Sequence, residues 1–135
     1  NNHDDISFRF NPPEERDVLL NFLDPEEKYT FKRNKTVAIR LATAFQNNPE
    51  LIKKAFDLLL NLPTVPVIYY GEEVGMKNIA FEEPPFDMRR YTRGRFDWKM
   101  AQDKVNDPNS LYNFIRQKIK QRNFSSATEN AKISQ

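Results

Sequence analysis

An α/β fold is predicted for this 135-residue chain by three observations. Val65, Val67, Ile68, Tyr69 and Tyr70 form a short, nearly unbroken run of β-branched and aromatic residues, preceded by a turn signal and closed by Gly71. Such a run reads as a strand buried on both faces, as in a parallel sheet. Helical periodicity flanks it, over residues 49–62 before and 110–122 after, which makes an α/β unit and not an antiparallel one. Directly after the run comes Gly71-Glu72-Glu73-Val74-Gly75. In parallel α/β folds the working groups sit past the carboxyl ends of strands, so chemistry is sought there. A single buried parallel strand has no partner within the chain, and unpaired ladder groups are costly when buried. The sequence therefore reads as incomplete as an independent fold.

The totals set bounds. The length suits about one domain. With no cysteine, neither a disulfide framework nor a Cys-based metal site is possible, which fits a reducing compartment such as the cytoplasm. A net charge of +2 is too mild to imply nucleic acid on its own. No apolar run approaches the roughly 20 residues that span a membrane, so no membrane partner is expected. The chain opens Asn1-Asn2-His3-Asp4-Asp5, without an initiating Met or a signal-like apolar segment, and reads as processed or as a piece of something longer.

Taken in order, Asn11 is expected to cap a helix with Pro12 first and Glu14 and Glu15 in its first turn, its stripe being Val18, Leu19, Phe22 and Leu23. Asp24-Pro25 ends it. Residues 36–45 are expected as the next helix, with Val37, Leu41, Ala44 and Phe45 on one side. Asn47-Asn48-Pro49-Glu50 is a strong helix restart, and Leu51, Ile52, Ala55, Phe56, Leu59 and Leu60 face a core. Residues 77–106 show no period and read as a long, ordered, functional loop carrying Arg89, Arg90, Arg93 and Arg95. Asp107-Pro108-Asn109-Ser110 starts a final helix with Leu111, Phe114, Ile115 and Ile119 inward. From Phe124 the chain turns polar and reads as a linker or frayed end.

The motifs resemble a known family. Asn2-His3-Asp4 looks like the Asn-His-Asp motif that follows the seventh strand in the α-amylase superfamily (glycoside hydrolase family 13). The segment Leu62-Pro63-Thr64-Val65-Pro66-Val67-Ile68-Tyr69-Tyr70-Gly71-Glu72-Glu73-Val74-Gly75-Met76 resembles its eighth-strand region. Asp87-Met88-Arg89 through Arg93, then Phe96-Asp97-Trp98, resembles the loop that follows in trehalose synthases, α-glucosidases and amylosucrases. The helix from Leu111 is similar to the last barrel helix. The eighth-strand stretch is specific; Asn-His-Asp alone is weak.

The resemblance implies the C-terminal portion of a (β/α)8 TIM barrel over residues 1–123, with residues 124–135 as tail or linker. It implies a retaining glycosidase or glucosyltransferase acting on an α-glucoside or α-glucan. Apart from the resemblance, no cofactor or metal is expected, since His3 is the only histidine and is not read as a metal ligand. In such enzymes an oxocarbenium-like state forms between two carboxylates. Asp4 would be the third acid, stabilising that state through sugar hydroxyls. His3 and Asn2 would bind the same sugar, and Arg89 falls at a substrate-contacting position. Nothing in the chain corresponds to the nucleophile or the acid/base, so the remainder of the barrel is the expected partner and the chain alone is expected to be inactive. Two departures stand out. Ser7 occupies the position where many members carry arginine, a lack shared by trehalose synthases and amylosucrases, and the usual glycine of Leu-Pro-Gly-Thr-Pro is missing.

Plainer readings accompany each residue. His3, Asp4 and Asp5 also suit a solvated end. Of Glu72 and Glu73, one is expected to brace the loop and the other to face solvent. The loop arginines suit a solvated, salt-bridged surface, and an RNA-binding reading of them predicts salt-sensitive retention on RNA, which is not expected. Tyr69, Tyr70 and Trp98 suit either sugar stacking or core packing. The basic face of the last helix reads as a wet face. An alternative to the enzyme is a non-catalytic amylase-like binding or partner domain, against which the retention of Asn2-His3-Asp4 argues.

Overall fold

The computed structural model describes residues 5–32 and 35–133, with side chains described as far as Arg122. It is a small α/β assembly, but its sheet is not the expected one. Three two-residue strands, β1 (Ile6–Ser7), β2 (Thr30–Phe31) and β3 (Thr36–Val37), form an antiparallel sheet in the order β1-β3-β2. In the central strand Val37 lies opposite both Ile6 and Thr30, and Thr36 and Val37 are buried.

The expected parallel strand at residues 65–70 is absent among the described residues: the run is irregular backbone without a ladder partner. Val65 is 89% and Val67 73% exposed. Only Ile68 turns against the main core. The segment has the composition of a doubly buried strand and no strand to pair with among the described residues, so Val65 and Val67 face solvent.

Helix α1 (Pro13–Leu23) begins one residue later than expected, with Pro13 rather than Pro12 first, and Asn11 does not cap it. The Asn11 amide donates to Glu15 instead. Its expected stripe is also displaced, because Leu20 is the buried residue while Val18 and Phe22 are largely exposed. Asp24 ends the helix and is itself buried, its carboxylate accepting from Lys28 N, Tyr29 N and Thr30 Oγ1 at 2.7–3.1 Å. That clasp ties the end of α1 to β2.

The helix expected over residues 36–45 shrinks to α2 (Leu41–Ala44). Thr36 and Val37 are β-branched and sit better in the pleat between two strands. The side chain of Asn78 then brackets the corner, donating to Ala38 O and accepting from Arg40 N, each at 2.9 Å. Backbone groups that a helix would pair internally are paired from forty residues away.

Helix α3 (Pro49–Asn61) forms as expected. Asn48 caps it, its side chain accepting from Glu50 N and Leu51 N, with Pro49 at the first turn. Ile52, Phe56 and Leu60 recur every four residues and meet Ala42 and, on α5 (Leu111–Ile133), Ile115. Ser110 starts α5 by accepting from Asn113 N. That helix continues past its expected end near residue 122.

Residues 77–106 also depart from the expected loop. They contain a 3-10 turn at Met88–Thr92 and a helix, α4 (Trp98–Asn106), capped by Asp97. Arg122 corrects the reading of the last helix as a merely wet face. It donates to Leu60 O, Leu62 O and Thr64 O, closing the carboxyl end of α3 and holding the chain as it leaves for residue 65.

Candidate functional site

The corner after the apolar run is built around two glycines and one arginine. Gly71 has φ +85°, and a Cβ there would stand 2.2 Å from Met76 Sδ, so both conformation and space demand glycine. The chain bends into a 3-10 turn at Glu72–Val74 and leaves through Gly75 at φ +77°.

Arg40, 1% exposed, fills the space beneath this corner. Its Nε and Nη2 donate to Thr92 O at 3.0 and 2.6 Å. Nη1 donates to Tyr70 O at 2.9 Å and to Glu72 Oε1 at 3.2 Å. The guanidinium carbon lies 4.9 Å from the Tyr69 ring centre and 5.0 Å from that of Tyr70, within reach of the ring quadrupoles. A buried charge is tolerated only when paired and hydrogen-bonded, and here the donors are committed to two carbonyls and a carboxylate. Glu72 Oε2 accepts from Leu41 N at 3.2 Å. Burial pushes the Glu72 carboxyl up to about 7, against the lowering pull of Arg40.

Glu72 therefore braces the loop, as expected of one acid of the pair. Glu73 does not simply face solvent: its Oε2 is buried with no hydrogen-bond partner. It lines a groove of about 440 Å3 with Tyr112, Ile115 and Arg116.

Asp5, Arg40, Tyr69, Glu72 and Thr92 line a cavity of about 160 Å3, with Ile68 in its wall. Asp5 is buried, its carboxylate 3.5 Å from Lys32 Nζ. The expected site residues Asn2, His3 and Asp4 lie outside the described residues. Their sequence neighbour Asp5 opens into the same cavity as Tyr69 and Glu72.

Arg89 is placed elsewhere. It is not among the residues lining that cavity; its Nε and Nη2 donate to the Asp87 carboxylate at 2.8 and 3.2 Å. Asp87 also caps Arg89 N and takes Arg93 Nη1 at 3.3 Å. The hydrogen bond from Arg89 holds the Asp87 carboxyl below its ordinary value. Tyr70 donates to Gly94 O at 2.7 Å, which makes it a structural tie. Trp98 packs edge-on against Phe96 and stays largely exposed.

Sequence reasoning missed Arg40. The available signal was a lone arginine inside the apolar stretch Val37-Ala38-Ile39-Arg40-Leu41-Ala42, since a charge there is buried only with a partner.

Among the described residues no helix is long and apolar enough to cross a membrane, and no cluster of His, Asp or Glu suited to a metal ion occurs.

No protein-family model matches the chain. Relatives do, and they are carbohydrate enzymes by name. The chain is 36% identical over 80 residues to a trehalose synthase/amylase TreS of Mycolicibacterium smegmatis, covering 59% of this chain and 13% of that protein. It is 35% identical over 80 residues to the protein of that name from Mycobacterium tuberculosis, and 35% identical over 75 residues to a trehalose synthase of Pimelobacter. The resemblance to the trehalose-synthase type of the α-amylase superfamily, expected from the motifs, is borne out. The chain spans about 13% of the length of the curated relatives it matches.

Proposed function

We propose that this chain is the C-terminal part of a (β/α)8 catalytic barrel in a retaining glycoside hydrolase or glucosyltransferase of the trehalose-synthase type, acting on α-glucosides. Residues 65–70 are then the last barrel strand. In this reading Asp4 stabilises the oxocarbenium-like state, His3 and Asn2 hold the same sugar, and Arg89 contacts substrate once released from Asp87. The nucleophile and the acid/base come from the remainder of the barrel. The observation that carries the reading is that Asp5, beside the Asn-His-Asp motif, shares one cavity with Tyr69 and Glu72, where the eighth-strand segment ends. Asp5 and this segment line one cavity although they are more than sixty residues apart in sequence.

The catalytic part is tested by assaying the longer polypeptide that carries this chain against trehalose. Turnover should fall about 10²–10³-fold in Asp4→Asn, the scale of losing one group that stabilises developing charge. Wild-type turnover unchanged by Asp4→Asn rules out the stabiliser role. Hydrolysis of an α-glucoside by the 135 residues alone rules out the need for the rest of the barrel.

A further inference from the structure

We infer that Arg40, anchored by Glu72, is a positioning residue that joins the Tyr69–Glu72 corner to the turn bearing Arg89. The inference rests on the α-glucoside reading for its functional meaning, but not for its geometry.

The connection can be traced bond by bond. Arg40 grips Thr92 O with two of its nitrogens. Thr92 Oγ1 donates to Arg89 O at 2.9 Å. Arg89 is thus two hydrogen-bonded steps from Arg40. On its other side Arg40 Nη1 holds Tyr70 O and the Glu72 carboxylate, and the guanidinium lies against Tyr69, which walls the cavity that Asp5 enters. Tyr70 Oη to Gly94 O pins the same two segments at a second point. Two points of attachment fix the orientation of the arginine-bearing turn as well as its distance.

Arginine suits this task where lysine does not. The planar fork reaches two carbonyls and a carboxylate at once, whereas an ammonium is a point charge on a flexible stem. Glu72 is the element that holds the fork in register, because it also accepts from Leu41 N, one residue along from Arg40. Side-chain and main-chain bonds from adjacent residues to one carboxylate leave Arg40 little rotational freedom.

A residue that only stabilises the fold lowers the amount of active protein and leaves KM alone. One that sets the place of a substrate-contacting group raises KM. The experiment has two arms. In the 135-residue chain, Arg40→Lys and the milder Glu72→Gln are compared with wild type by backbone amide NMR. The expected result is displaced signals at Arg89–Arg93 and Tyr69–Glu72, with α1 and the middle of α3 unchanged. Unmoved signals at Arg89–Arg93 in Glu72→Gln and Arg40→Lys overturn the link, as does uniform change across the chain in Glu72→Gln. In the longer polypeptide, the same variants are assayed with trehalose. The expected result is a KM raised about tenfold, the scale of one charged hydrogen bond, with kcat nearly unchanged and no further KM increase when Arg89→Lys is combined with Arg40→Lys. A fall in kcat at constant KM reduces Arg40 to a fold-stabilising residue and overturns its positioning role. Absence of wild-type turnover overturns the glucoside reading alone, and the amide signals then decide the positional link.

Discussion

Two apolar regions of this chain meet opposite fates. On α3 and α5, Ile52, Phe56, Leu60 and Ile115 close over one another and lose nearly all contact with water. At residues 65–70 an equally apolar stretch leaves Val65 and Val67 in solvent. Composition does not separate them; pairing does. A helix satisfies its own backbone, so it needs only one apolar face covered. A strand needs neighbours for both its backbone and its side chains. The helices find their cover within the chain, and the run does not.

Substitutions sharpen that contrast. Phe56→Ala removes a fully buried ring from the helical core and should cost about 3–5 kcal/mol in chemical denaturation. A loss under about 1 kcal/mol would mean that the α3–α5 contact is loose.

The corner joining the two regions should respond to pH. Burial raises the Glu72 carboxyl to about 7, so the folded state holds its proton more tightly than the unfolded state does. Its contribution to stability is full below the ordinary glutamate value and is lost as pH rises through about 7. Melting temperature should therefore fall across that window by more in wild type than in Glu72→Gln. Parallel pH curves for the two proteins would contradict the assignment.

Gly71→Ala should be milder than the loss of Phe56. It places a Cβ at φ +85° and 2.2 Å from the flexible thioether of Met76, costing about 1–3 kcal/mol by strain. Thermal unfolding measures it, and a neutral result would show that the turn relaxes freely.

Val67→Thr should be smallest, within about 0.5 kcal/mol in this chain, because an exposed side chain contributes little. In the longer polypeptide the same change should cost more, since the proposal buries residue 67. Equal effects in the two settings would deny that the run acquires neighbours.

The sequence made α3 more legible than the segment just before it. Asn48, Pro49 and Glu50 announce the start of α3, and its stripe of Ile52, Phe56 and Leu60 repeats every four residues. By contrast, Val37, Leu41 and Ala44 mimic a helical stripe by coincidence. What breaks it is Asn78, distant in sequence. Helix α4 escaped notice because none of its residues is buried, so no apolar period marks it. The site was legible as a place, past the end of the run, and the glutamate brace was half visible. Its keystone was not, because the value of Arg40 lies in carbonyls thirty and fifty-two residues away. The Asn2-His3-Asp4 motif was readable only through resemblance, as short polar triplets carry no periodicity.

Amide hydrogen exchange at residues 65–70, in the isolated chain and in the longer polypeptide, tests the central claim most directly. The account predicts rapid exchange at Val65 and Val67 in the isolated chain beside strong protection in the middle of α3, and marked protection of the run once the remaining barrel is present. Protection of the run equal to that of α3 in the isolated chain, or none gained in the longer one, would contradict it.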